Sequence, residues 1–249
     1  MRNRSIKASV ATLVVAAGLL TGCGGGDADA GATTAPATEA AGGNGIADLD
    51  ATAVLEKSKA ALAAAKSYNV AGELEQDGQT ASMDISVVGP SLVGYVYVGK
   101  GRVNLLRAGG NSYVRPDELF WTASTGDARK AAALNDDLGE KWAQVPAGDT
   151  TFGPLFDIAD ADTLLAPEGS LSKGEEGEVR GTPVVALNDS AGGVLYVATD
   201  GEPYPVRLQG TSVEDGLNFS GIGEVVNGAT KPAATQVVTL ASLMAGAGE

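Results

Sequence analysis

The N-terminal segment determines how much of this 249-residue chain is available to fold. Basic residues within the first seven positions precede an apolar run from Ala8 to Leu20, which ends in Leu20-Thr21-Gly22-Cys23. This order matches the basic, apolar and small-residue regions of a cleavable export signal. The run is shorter than the roughly 20 apolar residues that span a membrane. We therefore expect residues 1–22, a signal peptide, to be absent from the mature protein.

Cys23 is the single cysteine of the chain, so no intramolecular disulfide can form. A free thiol in an exported protein needs an explanation. The sequence Leu20-Thr21-Gly22-Cys23 resembles the lipobox of bacterial lipoproteins, and that resemblance implies a diacylglyceryl thioether on the Cys23 sulfur. Two or three acyl chains hold a protein stably on a membrane. The resemblance thus implies lipid anchoring at the extracytoplasmic face of the cell membrane; a spare thiol behind an ordinary secretion signal is the alternative.

The charge balance argues against nucleic acid as a partner. The whole chain carries a net charge of −14, and losing three basic and no acidic residues with the signal leaves −17. A protein this acidic lacks the basic surface that phosphate backbones require. Residues 23–46 are rich in Gly, Ala and Thr without apolar periodicity, which predicts a lipidated cysteine followed by a flexible tether. Residues 47–249 then form a single domain of sufficient size for its own core.

The residue types that are missing exclude several reaction classes. The chain has no histidine, and its cysteine is assigned to the anchor, so Ser-His and Cys-His nucleophiles and histidine-bound zinc are excluded. We expect a protein that is not an enzyme and has no cofactor. Paired carboxylates can hydrolyse glycosidic bonds, so an acidic glycan hydrolase remains an alternative. Asp157, Asp160 and Asp162 lie close together but fit no calcium-loop spacing, so solvated carboxylates explain them more simply.

Periodicity predicts a helix, a group of strands, a helical middle and a second group of strands. Asp50 is a plausible N-cap for an amphipathic helix that carries Val54, Leu55, Ser58, Ala61, Leu62 and Ala65 on one face. Alternation and tight turns predict strands near 68–75, 79–88, 91–99, 102–107, 111–115, 174–180, 183–188, 193–199, 204–210 and 217–225. Short helices are predicted at 127–138 and 151–165. Residues 237–240 suit either a last strand or a helical turn.

The third predicted strand has two apolar faces. Leu92, Val96 and Val98 fall on one face, and Val93, Tyr95 and Tyr97 fall on the other. Either other elements cover both sides of this strand or a cavity lies on one side. Trp121 and Trp142 also have two interpretations: each closes one end of a cavity or fills the core.

Several sequence segments resemble those of the LppX/LprAFG group of actinobacterial lipoproteins, whose fold is similar to that of the LolA and LolB carriers. They are Ser112-Tyr113-Val114, the run from Gly139 to Pro146, the run from Gly181 to Leu187, the run from Leu195 to Arg207, and Pro232-Ala233-Ala234 before Val237-Val238. The resemblance implies an α+β fold: a strongly curved antiparallel β-sheet, or half-barrel, with helices packed on its concave face. In the best-known relatives the enclosed apolar cavity holds acylated lipids or glycolipids.

Two functions compete on these grounds. The first is a lipid carrier or chaperone of the cell envelope, anchored in the membrane through Cys23, which binds a lipid or glycolipid and works with an envelope transporter. Face alternation and the helical middle nominate as cavity-lining residues Val96, Val98, Leu105, Trp121, Leu155, Phe156 and Leu195. The second is an interaction or sensory lipoprotein with a filled core. Cavity volume discriminates between them, because pockets for even drug-sized ligands occupy about 300–1,000 Å³.

Overall fold

The structure is a computed structural model that describes residues 43–76 and 79–246. The predicted signal peptide, Cys23 and the tether up to residue 42 lie outside the described residues. The described strands form one sheet. Most of the buried hydrophobic side chains form one large cluster, and Leu106, Ala108 and Tyr113 form a second, smaller one. The chain downstream of Cys23 therefore contains a complete core of its own.

Twelve strands form a curved, unclosed sheet in which all neighbours but one run antiparallel, so the predicted α+β fold class is confirmed. The strand order is β12-β6-β5-β4-β3-β2-β1-β11-β10-β9-β8-β7. The exception is β12, which runs parallel to β6. The strands are β1 (Ser67–Gln76), β2 (Gln79–Val88), β3 (Ser91–Val98), β4 (Gly101–Ala108), β5 (Asn111–Pro116), β6 (Trp142–Val145), β7 (Leu171–Val179), β8 (Thr182–Asp189), β9 (Val194–Ala198), β10 (Pro205–Gln209), β11 (Gly216–Ser220) and β12 (Val237–Thr239).

The helices bury their apolar residues against one side of this sheet, which we call the inner face. They are α1 (Ala51–Ala64), α2 (Glu118–Thr125), α3 (Ala128–Leu138), α4 (Ala161–Leu164) and α5 (Leu240–Gly246), with short 3₁₀ helices at Ile46–Asp48, Gly153–Ala159 and Ala234–Gln236. Inner-face strand residues such as Val70, Ile85, Leu105 and Leu217 share one buried cluster with residues of α1, α2 and α3.

The opening helix forms as its pattern predicts. The Asp50 carboxylate accepts a hydrogen bond from the backbone N–H of Ala53 at 3.0 Å and caps α1. The buried residues of α1 are the predicted ones except Ala65, which follows the helix as its C-cap: Val54, Leu55, Ser58, Ala61 and Leu62. This stripe places α1 over the inner face.

The opposite side of the sheet, the outer face, carries polar and aromatic side chains. The Asn69 amide donates to the Asp84 carboxylate across β1 and β2 at 2.7 Å. Arg102 lies 4.0 Å from the centre of the Tyr95 ring, and Arg115 lies 5.0 Å from that of Trp142. On the same face Val93 and Trp142 pack against the small buried cluster of Leu106, Ala108 and Tyr113. The contacts with cations and with this cluster together account for the two apolar faces of the third strand.

Two glycines let β1 and β11 approach closely at the centre of the sheet. Gly72 has a φ of 151° and Gly216 a φ of 157°. A Cβ on Gly72 would collide with the carbonyl oxygen of Gly216. Because β1 joins the β2–β6 side of the sheet to the β7–β11 side, this contact fixes the junction between its two halves.

Three local features differ from the sequence prediction. The helical middle contains a short strand, β6, because Ala143 and Val145 point inward while Trp142 and Gln144 point outward. The C-terminal segment is both a strand and a helix, β12 and α5. Within the predicted tether, Ile46 is buried in the core.

Candidate functional site

A cavity of about 530 Å³ lies between the inner face at β1 and β7–β10 and the helical segments that cover it. Leucines dominate its wall. The sheet contributes Leu74, Leu171, Leu187, Leu195 and Leu208, and the covering segments contribute Leu55, Leu164 and Leu165. Leucine side chains make this lining apolar. The volume of the cavity lies within the range of small-molecule pockets.

Strand register explains why these leucines meet. Leu187 of β8 pairs with Leu195 of β9, and Leu195 pairs in turn with Leu208 of β10. Directly paired residues of antiparallel strands point to the same face. Three neighbouring strands therefore place three leucines side by side under the cavity.

Residues 160–170, which we call the flap, cover the cavity with α4 and the loop that follows it. Asp160 caps α4 by accepting from the backbone N–H of Thr163 at 2.9 Å. Lys59 of α1 forms an ion pair with Asp162 at 3.6 Å, in which the aspartate side chain is 85% exposed. Ion pairs with an exposed partner contribute about 0–1 kcal/mol, so this pair adds little to the packing of α4.

Asp189, at the end of β8, holds the far end of the flap. Its carboxylate accepts from the backbone N–H of Glu168 at 2.7 Å and from that of Ala191 at 2.8 Å. Ser170 and Ser190 exchange two further hydrogen bonds alongside. The hydrogen bond from the Ala191 N–H and those from the Gly169 and Glu168 N–H groups lower the pKa of Asp189. The flap is thus joined to the β8–β9 turn through an ionised carboxylate.

Aromatic side chains fill the inner face on the other half of the sheet. The Phe120 ring lies 5.4 Å from Trp121 and 5.5 Å from Phe152, measured between ring centres. α2 sits directly on β4, because the backbone of Phe120 occupies the space where a Cβ on Gly101 would lie. Asp117 caps α2 by accepting from the Phe120 N–H at 2.8 Å.

The structure distributes the predicted lining residues over both halves. Leu195 is a wall residue of the leucine-lined cavity. Four others are buried in the core, namely Val96, Leu105, Trp121 and Phe156. Leu155 packs against that core, and Val98 is 43% exposed at the end of β3. Trp121 thus fills the core in the aromatic group.

Sequence reasoning missed most of the leucine wall. Leu74 and Leu187 lie in predicted strands, and Leu164 lies near the end of the predicted helical segment 151–165, but no local sequence signal joins them. One signal is present in the sequence: each of β7–β10 carries a leucine at an inner position, although the inner positions of β8 and β9 also include Val185 and Val197.

Two further cavities have more polar walls. One of about 440 Å³ lies beneath α1 near Lys59, Tyr68 and Asp160. Burial, and secondarily the charge of Asp160, raises the pKa of Tyr68 to about 12. Another of about 410 Å³ borders Asn44, near the start of the described residues, and its wall includes Lys57 and Glu202. Neither wall carries as many leucines as the leucine-lined cavity.

Within residues 43–76 and 79–246, no three His, Cys, Asp or Glu side chains are arranged to hold a metal ion. None of the helices described there has the length and hydrophobicity to cross a bilayer.

Comparisons with known proteins returned structural matches alone: no protein-family profile and no curated protein matches the sequence. The chain is similar to LprF from Mycobacterium bovis at 13% identity, over 71% of this chain and 94% of that one, with a TM-score of 0.44. The match to the Mycobacterium tuberculosis lipoprotein LppX has 16% identity, 71% and 97% coverage and a TM-score of 0.45. An uncharacterized conserved protein from Thermus thermophilus matches at 11% identity, 76% and 98% coverage and a TM-score of 0.39. These values do not assign the chain to a family.

Proposed function

We propose that this protein is a lipid-anchored protein of the cell envelope that binds an acylated lipid or glycolipid and carries or chaperones it, without catalysing a reaction. The leucine-lined cavity is the observation that carries the proposal. At about 530 Å³ it lies within the range of about 300–1,000 Å³ that ligand pockets occupy, whereas a filled core would leave no such cavity.

An acyl chain is the kind of ligand that the lining of this cavity suits. Eight leucine side chains line it and offer no specific hydrogen-bond partner to a ligand. Burial of each CH₂ group contributes about 0.8 kcal/mol, so one chain gains affinity in proportion to the length that enters. The head group would remain at the rim, where the polar lining residues lie.

The flap is the proposed route of entry. Its polar contacts are an ion pair to α1 and a small set of hydrogen bonds to the β8–β9 turn, and its Leu165 is buried in the main core cluster. It adds two leucines to the wall, Leu164 and Leu165. Displacing the flap would open the cavity while leaving the twelve-stranded sheet intact.

Asp189 is not suited to protonate a leaving group in glycan hydrolysis. For that step an acidic hydrolase needs a carboxylic acid whose pKa is raised. Backbone N–H donors lower the pKa of Asp189 at the rim, which is the opposite shift.

Lipid extraction and native mass spectrometry test the proposal on residues 24–249 purified from the native host. We expect an acylated species bound near one per protein. The double variant Leu164→Phe/Leu208→Phe, which narrows the cavity at two half-buried positions, should lose that species. Leu119→Phe is the matched control, because Leu119 is 56% exposed on α2. Ligand-free protein that also ignores added lipids would contradict lipid binding and favour the interaction protein.

A further inference from the structure

The rim of the leucine-lined cavity is acidic, and this gives the proposed site a preference for one class of head group. The charged residues among its lining are Asp157, Glu168 and Asp189, and no lysine or arginine belongs to that described lining. Its other polar side chains are uncharged: Thr163, Gln209 and Thr211. An anionic ligand entering here would meet like charge without a compensating cation.

The three carboxylates are not equivalent. Asp189 is occupied by the backbone N–H groups of the flap and of the β8–β9 turn, so its charge is fixed in place. Asp157 and Glu168 lie on the exposed side of the rim, one before and one within the flap. They are therefore the carboxylates that a head group would encounter first.

Nearby cations are engaged elsewhere. Lys173, two residues beyond Leu171 on β7, donates to the carbonyl oxygen of Ala47 at 2.6 Å. Lys59 pairs with Asp162 at 3.6 Å. Arg207 donates to the carbonyl oxygens of Val213 and Asp215 at 3.0 Å each. Neither these three cations nor Arg107, whose guanidinium lies 5.2 Å from the centre of the Phe156 ring, belongs to the described lining of the cavity.

We propose that the cavity selects an acyl lipid with an uncharged head group and rejects lipids whose head group is anionic. This inference rests on the proposed function, because it concerns the same cavity. The leucine wall supplies affinity for the chain, whereas the rim discriminates between head groups, since like-charge contacts suppress wrong partners. Carboxylate oxygens additionally accept hydrogen bonds from the hydroxyl groups of an uncharged head group.

Two lipids that share a palmitoyl chain and a glycerol unit test the inference: uncharged monopalmitoylglycerol and anionic palmitoyl lysophosphatidylglycerol. Each would displace the uncharged fluorescent probe N-phenyl-1-naphthylamine from residues 24–249 at low ionic strength. We expect the uncharged lipid to bind at least about tenfold more tightly. High salt should shrink this ratio, because it screens exposed charges.

Charge-neutralising variants separate the rim from the rest of the acidic surface. Asp157→Asn/Glu168→Gln should reduce the ratio to about threefold or less by strengthening binding of the anionic lipid. Glu175→Gln/Glu178→Gln is the matched control, because both side chains are exposed on β7 away from the cavity lining. That control should leave the ratio unchanged.

The outcomes distinguish the two levels of the proposal. Equal affinity of the wild-type protein for both lipids overturns head-group selection while supporting lipid binding. An unchanged ratio in Asp157→Asn/Glu168→Gln, or an equal loss in the control, also overturns selection by the rim. Failure of both lipids to displace the probe, or of the probe to bind, overturns the proposed function and the selectivity together.

Discussion

The two halves of the inner face are built on one continuous sheet but are filled differently. Over β3–β6, aromatic side chains from α2 and the segment at 152–156 close the space, with ring centres 5.4–6.2 Å apart. Over β7–β10, leucines line a cavity of about 530 Å³ beneath the flap. Large rigid rings fill the space in one half, whereas α1 and the flap leave space above the leucines in the other half. The first half stabilises the fold, and the second is available for a ligand.

Removal of Trp121 should produce the largest loss of stability. It is 2% exposed and packs against Phe120 and Phe152. We expect Trp121→Ala to lower the free energy of unfolding by about 3–5 kcal/mol, measured by urea denaturation. Trp121→Phe should cost much less, because the buried Nε1 has no hydrogen-bond partner to lose among the described residues. A small effect of Trp121→Ala on the free energy of unfolding would contradict the claim that aromatic side chains fill the inner face over β3–β6.

The junction between the halves depends on Gly72. A Cβ there would collide with the Gly216 carbonyl, so Gly72→Ala should cost about 2–4 kcal/mol by the same measurement. Gly177→Ala is the matched control, since a Cβ on Gly177 meets no atom within 4 Å. Equal costs at the two positions would show that close approach of β1 and β11 does not constrain the sheet.

Leucine truncation compares the halves with identical chemistry. Leu105 is fully buried on β4, whereas Leu208 is half-buried on the cavity wall of β10. Leu105→Ala should lower the free energy of unfolding by about 3 kcal/mol and Leu208→Ala by about 1 kcal/mol, because part of the Leu208 side chain already faces unfilled space. Costs that agree within about 0.5 kcal/mol would remove the distinction between a packed and an open half.

The smallest effect concerns the flap. Asp189→Asn removes the charge that accepts the Glu168 and Ala191 N–H groups, and we expect a loss of about 1 kcal/mol near neutral pH. The folded-state pKa of Asp189 lies below its unfolded value, so its contribution is present above that unfolded pKa and disappears as pH falls through the lowered folded value. Wild-type and variant stabilities, measured between pH 7 and pH 2, should therefore converge at the acidic end. A difference that persists there would contradict the role of the charge.

Sequence periodicity predicted the sheet well and the cavity poorly. Two-residue alternation is a local signal, and it identified ten of the strands, including those that carry Leu187 and Leu195. β6 was not predicted because its four residues contain only two repeats of the strand alternation, and the segments around it have helical periodicity. The leucine wall escaped because its members come from five strands and two covering segments, α1 and the flap, and only the folded structure brings them together.

The candidate residues show the same limit. Leu105 and Leu195 were both predicted to face inward, and both do, yet one lies in the packed core and the other on the cavity wall. Alternation gives the face of a side chain but not what covers it. Coverage depends on the distant aromatic residues Trp121 and Phe152 in one half and on the short flap in the other.

Photo-crosslinking locates the ligand and tests the contrast between the halves most directly. Monoacylglycerol with a diazirine on its acyl chain would be bound to residues 24–249, irradiated, and mapped by peptide mass spectrometry. The account predicts labelling of segments that contain Leu74, Leu164, Leu171 and Leu208. Labelling concentrated around Phe120, Trp121 and Phe152, with those leucine segments unlabelled, would contradict it.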